Sequence, residues 1–120
     1  MLNQSTTLDR VFAALSDPSR RTILERLVRG SATVSELARP LDMTLSAVVQ
    51  HVQVLVDSGL IRTAKTGRTR TCTLRPRNLE RAGTWLVAQQ EAFWKAGLRE
   101  MQDIVENPQP TTRRKKKEKD

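Results

Sequence analysis

The sequence contains almost no cysteine, histidine or aromatic side chains. Cys72 is the one cysteine, so no disulfide can form within the chain, and this usage fits a reducing cytoplasm. His51 is the one histidine, and a single Cys with a single His cannot supply the ligands of a zinc-type site. Aromatic residues make up 3% of the chain, so the core must consist mainly of Leu, Val, Ile and Ala. We therefore expect no metal site and no cofactor.

Long hydrophobic runs are also missing. No segment approaches the roughly 18–20 apolar residues that a membrane-spanning helix requires. The first residues, MLNQSTTLDR, lack the basic and apolar regions of a signal peptide. The chain has no Gly-rich phosphate loop, no Ser-His-acid set and no paired carboxylates beside an evident pocket. These absences predict a cytoplasmic protein that is neither a membrane protein nor an enzyme.

Positive charge, by contrast, is abundant. The chain has 21 Lys and Arg residues against 13 Asp and Glu residues, a formal net charge of +8. This balance indicates a polyanionic partner, most simply a nucleic acid. Residues 111–120 hold six basic and two acidic residues and no apolar one, so half of the net charge lies there. We predict one domain over residues 1–108 and a disordered basic tail over residues 109–120.

Helix signals fill the first half of the chain. The spacing of apolar residues from Leu8 to Leu15 predicts a first helix. Asp17 is a suitable N-cap for a second helix, in which the apolar stripe consists of Ile23, Leu24, Leu27 and Val28. A capping box from Thr33 to Glu36 begins a short third helix. Thr44 begins a fourth helix, which ends near Asp57. Its predicted inward stripe consists of Leu45, Val48, Val52, Leu55 and Val56.

The pattern changes after this helix. Residues 61–74 are rich in threonine and have Gly67 at their centre, which predicts a β-hairpin with a basic tip. A long helix follows Pro76 and runs to about Glu106. The predicted fold is mostly α with a small β-hairpin, in the order α-α-α-α-β-β-α. Its short helix, turn and next helix at residues 33–58 form a helix-turn-helix, and the adjacent hairpin makes it winged.

A helix-turn-helix places its second helix in the major groove of DNA. The outer face of this helix is nearly uncharged and carries Gln, Ser and small apolar side chains. Gln can contact adenine, Ser can donate or accept, and Val49 or Ala47 can meet a thymine methyl group. Cations on the hairpin would contact phosphates, with Arg68 in a minor groove. The predicted DNA-binding residues are Thr44, Ser46, Ala47, Val49, Gln50, His51, Gln53, Arg62, Lys65, Arg68 and Arg70.

Other interpretations of these residues stay open at this point. A polar helix face can simply be solvated. A winged helix can also bind structured RNA, or serve as a protein-interaction module. Cys72 is expected to be a small buried residue, with redox sensing as the alternative.

Over about residues 8–106 the sequence resembles the ArsR-type (arsenical-resistance repressor) winged helix-turn-helix transcriptional regulators. The likeness rests on the run DPSRR at residues 17–21, on His51-x-x-x-Leu55 and on Ser58-Gly59-Leu60. The segment with Trp85, Phe93 and Trp94 is similar to that of a subgroup without metal-binding motifs, and here the short helix has no Cys and the last helix has no His. Where many relatives have Ser-Lys-His-Leu-Lys, this chain has VQHVQ at residues 49–53, without the two lysines.

The resemblance implies a homodimer that represses a promoter by binding a palindromic operator. It implies a recognition helix at residues 45–57, a wing at residues 61–74 and a dimer interface built from the first and last helices. The expected interface residues are Leu8, Val11, Phe12, Leu15, Leu86, Phe93, Trp94, Met101 and Ile104. A pocket for a small hydrophobic effector beside Trp85, Phe93 and Trp94 is the alternative use of these aromatic residues.

Overall fold

The computed structural model describes residues 4–107, with side chains from Thr6 onward. Within these residues the chain forms five helices and three strands. They are α1 (Gln4–Leu15), α2 (Pro18–Val28), β1 (Ala32–Thr33), α3 (Val34–Ala38), α4 (Leu45–Asp57), β2 (Ile61–Thr66), β3 (Thr69–Leu74) and α5 (Pro76–Glu106). The predicted order of four helices, a hairpin and a long helix is confirmed.

The described chain forms two compact units, one within Met1–Thr84 and the other within Trp85–Asp120. The first unit contains the helix-turn-helix and the sheet, and the second consists of the greater part of α5. The prediction of one domain over residues 1–108 stays a prediction. The predicted basic tail at residues 109–120 lies outside the described residues.

The starts of three helices follow the predicted caps. The Asp17 carboxylate accepts from the backbone N–H of Arg20 at 3.1 Å, and the Thr44 hydroxyl accepts from that of Ala47 at 3.1 Å. In the capping box, the backbone N–H of Glu36 donates to the Thr33 hydroxyl at 3.1 Å. The backbone N–H of Thr33 donates to the Glu36 carboxylate at 2.8 Å. Each cap satisfies backbone donors that a helix start leaves without a partner.

The sheet differs from the prediction because it has a third strand. β1 pairs antiparallel with β3, which also pairs with β2, so the strand order is β1-β3-β2. The register joins Ala32 to Cys72 and Thr33 to Thr71. Two residues are too few to show the alternation that marks a strand in a sequence. β1 forms because the free edge of β3, which comes much later in the chain, lies beside it.

The core lies in the first unit. Val48, Val52 and Leu55 of α4 are fully buried or nearly so. They pack in one cluster with side chains from the other helices and the sheet, namely Ile23, Leu24, Leu27, Leu37, Leu60, Ile61 and Cys72. Cys72 is thus a buried residue, as predicted. Burial raises the pKa of its thiol, and the nearby charge of Arg70 lowers it by a smaller amount. The net rise disfavours the thiolate that redox sensing needs.

Two residues of the predicted apolar stripes are exposed instead. Val28 is the last residue of α2, and Leu45 is the first residue of α4. Both therefore lie at helix ends, where the stripe continues beyond the elements that pack against it. The prediction that these two side chains point inward was wrong, and the exposure of Leu45 places an apolar group at the start of the predicted recognition helix.

The end of α4 is held by a tight contact with the beginning of α5. Gly59 follows the helix with φ of +76°, a left-handed conformation that glycine adopts without strain. The Asn78 side-chain amide donates to the Ser58 carbonyl at 3.0 Å and lies where a Cβ on residue 59 would stand. The backbone conformation thus favours glycine here, and a Cβ would displace the Asn78 amide from this hydrogen bond.

Candidate nucleic-acid interface

Five of the eleven residues predicted to contact DNA lie on the outer side of α4. Ser46, Val49, Gln50 and Gln53 are exposed, whereas Ala47 is half-buried. Residues 45–57 include no Lys or Arg, and Asp57 is the one acidic residue. The surface is therefore close to neutral and presents hydrogen-bonding and apolar groups, as predicted.

Two polar residues of this face already have partners. The Gln53 amide donates to the Asp57 carboxylate one turn later at 2.9 Å. This bond uses one N–H of the Gln53 amide and leaves its carbonyl oxygen and second N–H able to contact a base. The Thr44 hydroxyl oxygen is occupied as the helix cap, but its O–H can still donate to a phosphate.

His51 does not belong to the outer face with its neighbours. Its side chain is 20% exposed, and its Nδ1 lies 3.2 Å from Arg20 Nη1 and 3.9 Å from an Asp17 carboxylate oxygen. Arginine can only donate, so the contact with Arg20 requires an unprotonated Nδ1. We therefore assign His51 a role in positioning α4 against the start of α2, and its predicted DNA contact stays a prediction.

Arg20 joins three helices at this point. Its Nε donates to the Ala14 carbonyl at 2.6 Å and its Nη2 to the Ala13 carbonyl at 3.3 Å. Arg21 acts similarly, donating to the Leu15 carbonyl at 2.7 Å. These carbonyls end α1 and have no partner within the helix. The DPSRR run thus closes α1, caps α2 and holds α4. The contact with His51, 31 residues from Arg20, was not predicted from the sequence, although both residues belong to motifs that carry the family resemblance.

Acid is expected to weaken this corner through Asp17. The backbone N–H of Arg20 lowers the pKa of the Asp17 carboxyl below its ordinary value of 3.8, against an opposing effect of desolvation, and the charge of Arg20 lowers it further. Because the folded-state pKa is the lower one, the carboxylate stabilises the fold above pH 3.8. This stabilisation is lost as the pH falls through the folded-state pKa.

Asp17→Asn keeps a capping side chain but removes the charge. Urea unfolding at several pH values should show wild type more stable than this variant at neutral pH, with the difference shrinking below about pH 4. Asp9→Asn, in the middle of α1, makes the same charge change without a cap. If the free energy of unfolding of the two variants depends on pH in the same way, the Asp17 cap does not contribute the pH-dependent stability.

The wing consists of β2, β3 and a two-residue turn. Thr66 pairs with Thr69, so Gly67 and Arg68 form the turn, and Gly67 has φ of +62°. A glycine at the first turn position with positive φ is the requirement of a type II′ hairpin turn. This geometry places Arg68 at the tip, as predicted.

The register divides the other wing cations between two faces. Lys65 lies directly opposite Arg70, and Arg62 lies opposite Thr73. Side chains alternate along a strand, so Arg62 projects from the face opposite to that of Lys65 and Arg70. Two like charges directly opposite each other destabilise an isolated hairpin. A bound polyanion would offset this repulsion.

The residues expected at a dimer interface fall into two groups. In α1, Val11 is fully buried in the core of the first unit, and Leu8 and Leu15 are half-buried against that core. Phe12 is the exposed member. Val11 cannot also contact a second copy, because its side chain is already covered, and we remove it from the expected interface.

In the second unit, α5 presents a broad apolar arc. Phe93 is 72% exposed and Trp94 is 65% exposed, and their rings meet edge to face with centroids 5.8 Å apart. The arc also includes Leu86, Val87, Leu98, Met101, Ile104 and Val105, all exposed. Apolar area of this extent on one helix indicates a surface that a partner covers. The expected effector pocket beside these aromatics stays a prediction.

Within residues 4–107, no group of three or more His, Cys, Asp or Glu side chains lies close enough together to hold a metal ion. None of the helices described is both long and apolar enough to cross a membrane.

Comparison with known proteins gives a consistent result. A helix-turn-helix domain model matches residues 15–64. The chain is 35% identical over 99 residues to the HTH-type transcriptional regulator Rv2034 of Mycobacterium tuberculosis, covering 82% of this chain and 89% of the relative. Among solved structures it is similar to the ArsR family transcriptional regulator RHA00566. That likeness has 47% identity and a TM-score of 0.72, over 78% of this chain and 96% of that one.

A more distant likeness concerns the fold alone. The homodimeric winged helix-turn-helix DNA-binding domain of Mb0332 from Mycobacterium bovis shares 24% identity with this chain. It has a TM-score of 0.57, and the match covers 72% of this chain and 82% of that one.

Proposed function

Because this chain belongs to the ArsR family of winged helix-turn-helix transcriptional regulators, we propose that it is a homodimer that represses a promoter. Two copies of α4 enter successive major grooves of a palindromic operator, and two wings contact the flanking phosphates. The family consists of transcriptional regulators, and the proposal includes no catalysis. The site of action is the cytoplasm.

The observation that carries the proposal is the separation of charge between α4 and the wing. The exposed α4 face is nearly neutral, whereas Arg62, Lys65, Arg68 and Arg70 lie together on one hairpin. Phosphate contacts supply affinity without sequence information, and contacts to base edges supply specificity. The wing provides the first kind of group and α4 the second.

Dimerisation is supported by the exposed apolar arc of α5. A two-fold dimer presents the same face twice, so that each α4 reads one half of a palindrome. The partner copy would bury aromatic surface that otherwise contacts water, which stabilises association.

The test is selection of genomic DNA fragments by the purified full-length protein at about physiological salt, followed by mapping of the protected sequence. We expect a palindrome in a promoter, with half-sites about one helical turn apart. Salt-sensitive binding with no preferred sequence, or tighter binding of structured RNA than of any duplex DNA, would contradict the proposal. A variant with glutamine at residues 115–117 controls for nonspecific attraction by the basic tail.

A further inference from the structure

The first two turns of α4 expose an apolar pair. Leu45 is 55% exposed and Val49 is 38% exposed. Residues four apart on a helix are neighbours on the same side, so these two side chains form one small patch. The patch begins beside the Thr44 cap, at the end of the helix that a helix-turn-helix directs toward the base edges.

The groups around this patch limit what it can recognise. No cation occurs among residues 45–57, so α4 cannot make the paired Arg or Lys contact that specifies guanine. Gln50 is exposed next to the patch, and glutamine pairs with the N6 and N7 positions of adenine. His51 and Gln53 are held by Arg20 and Asp57, respectively. The first two turns thus offer one amide, one hydroxyl and two apolar side chains.

We propose that Leu45 and Val49 contact thymine methyl groups and that, with Gln50, they make α4 a reader of A·T base pairs. The thymine C5-methyl is the one apolar group in the major groove, and apolar side chains are its partners. Leu45 is a new specificity-determining residue. The proposal rests on the proposed operator binding and adds the identity of the bases read.

A single exposed apolar side chain needs no functional explanation. Val54 supplies the comparison within the same helix, because it is also 38% exposed but lies five residues after Val49, on another side of α4. If exposure alone mattered, Val54 and Val49 would behave alike in DNA binding. The proposal requires that they differ.

The test uses the selected operator with deoxyuridine in place of thymine at the contacted positions, which removes the methyl group and keeps base pairing. We expect wild type to bind about fourfold more weakly for each methyl removed, the value of one buried methyl-sized group. Leu45→Ala and Val49→Ala should bind the thymine operator more weakly and lose the preference for thymine over uracil. Val54→Ala should keep both the affinity and the preference. All three side chains are exposed, so these variants are expected to fold.

The outcomes separate this inference from the proposed function. Sequence-specific binding with no effect of uracil, or with equal effects of Val49→Ala and Val54→Ala, would overturn the thymine contact and leave the regulator intact. An operator with G·C pairs at the positions that Leu45 and Val49 face would also overturn the thymine contact and leave the regulator intact. Failure to select any sequence would instead remove the proposed function, and the inference with it. Uracil placed outside the protected half-sites is the control for altered DNA shape.

Discussion

Replacing Phe93 with glutamate is expected to produce monomers and to lower the affinity for a palindromic operator by about 100- to 10,000-fold, the range that linking two binding modules provides. Phe93 lies on the apolar arc of α5 and is 72% exposed within one chain. In the dimer its ring would be covered by the partner. A glutamate there would carry an unpaired charge into an apolar interface, which costs far more free energy than removal of the ring alone.

The matched control is Ala88→Glu, which introduces the same residue into the same helix. Ala88 lies on the side of α5 that carries Lys95 and Arg99, where an added carboxylate stays in water. Mass measurement in solution should give monomers for Phe93→Glu and dimers for Ala88→Glu. Operator affinity should fall for Phe93→Glu and stay unchanged for Ala88→Glu. A dimeric Phe93→Glu variant, or equal losses of affinity in both, would show that this arc is not the interface.

Neutralising the wing is expected to have a comparable effect by a different route. In a variant with glutamine at Arg62, Arg68 and Arg70, operator affinity should fall by about 1,000-fold, since a hydrogen bond from a charged group contributes about 1.5 kcal/mol or more. The slope of log affinity against log salt should decrease by about 3, one for each arginine that no longer neutralises a phosphate. The preferred sequence should not change, because the wing residues contact phosphates and α4 reads the bases.

The control removes the same number of charges elsewhere, with glutamine at the exposed Arg29, Arg81 and Arg99. Net charge alone would weaken both triple variants equally, and this result would refute a local role for the wing. Titrations over a range of salt concentrations measure the affinity and the slope together. Retained dimerisation of the wing variant, measured in the same samples, shows that its weaker binding does not come from unfolding.

The features that could be predicted from the sequence depend on neighbours within a few positions. The caps at Asp17, Thr33 and Thr44 were correct because each joins a side chain to a backbone N–H three residues later. The wing turn was correct because Gly67 permits a positive φ that other residues resist. The neutral face of α4 followed from helical spacing, since a buried stripe on one side leaves the other side outward.

The features that only the tertiary structure decided depend on contacts between residues far apart in the chain. β1 exists because β3 offers it an edge, and His51 turns inward because Arg20 meets it from α2. Helical spacing cannot show whether an apolar residue at the end of a stripe is covered, because packed neighbours decide that. In the one stripe of α4, Val48 is therefore buried while Leu45, at its end, is exposed. The sequence by itself determined the helix-turn-helix and its wing, and packing decided which side chains remain to meet DNA or a second copy.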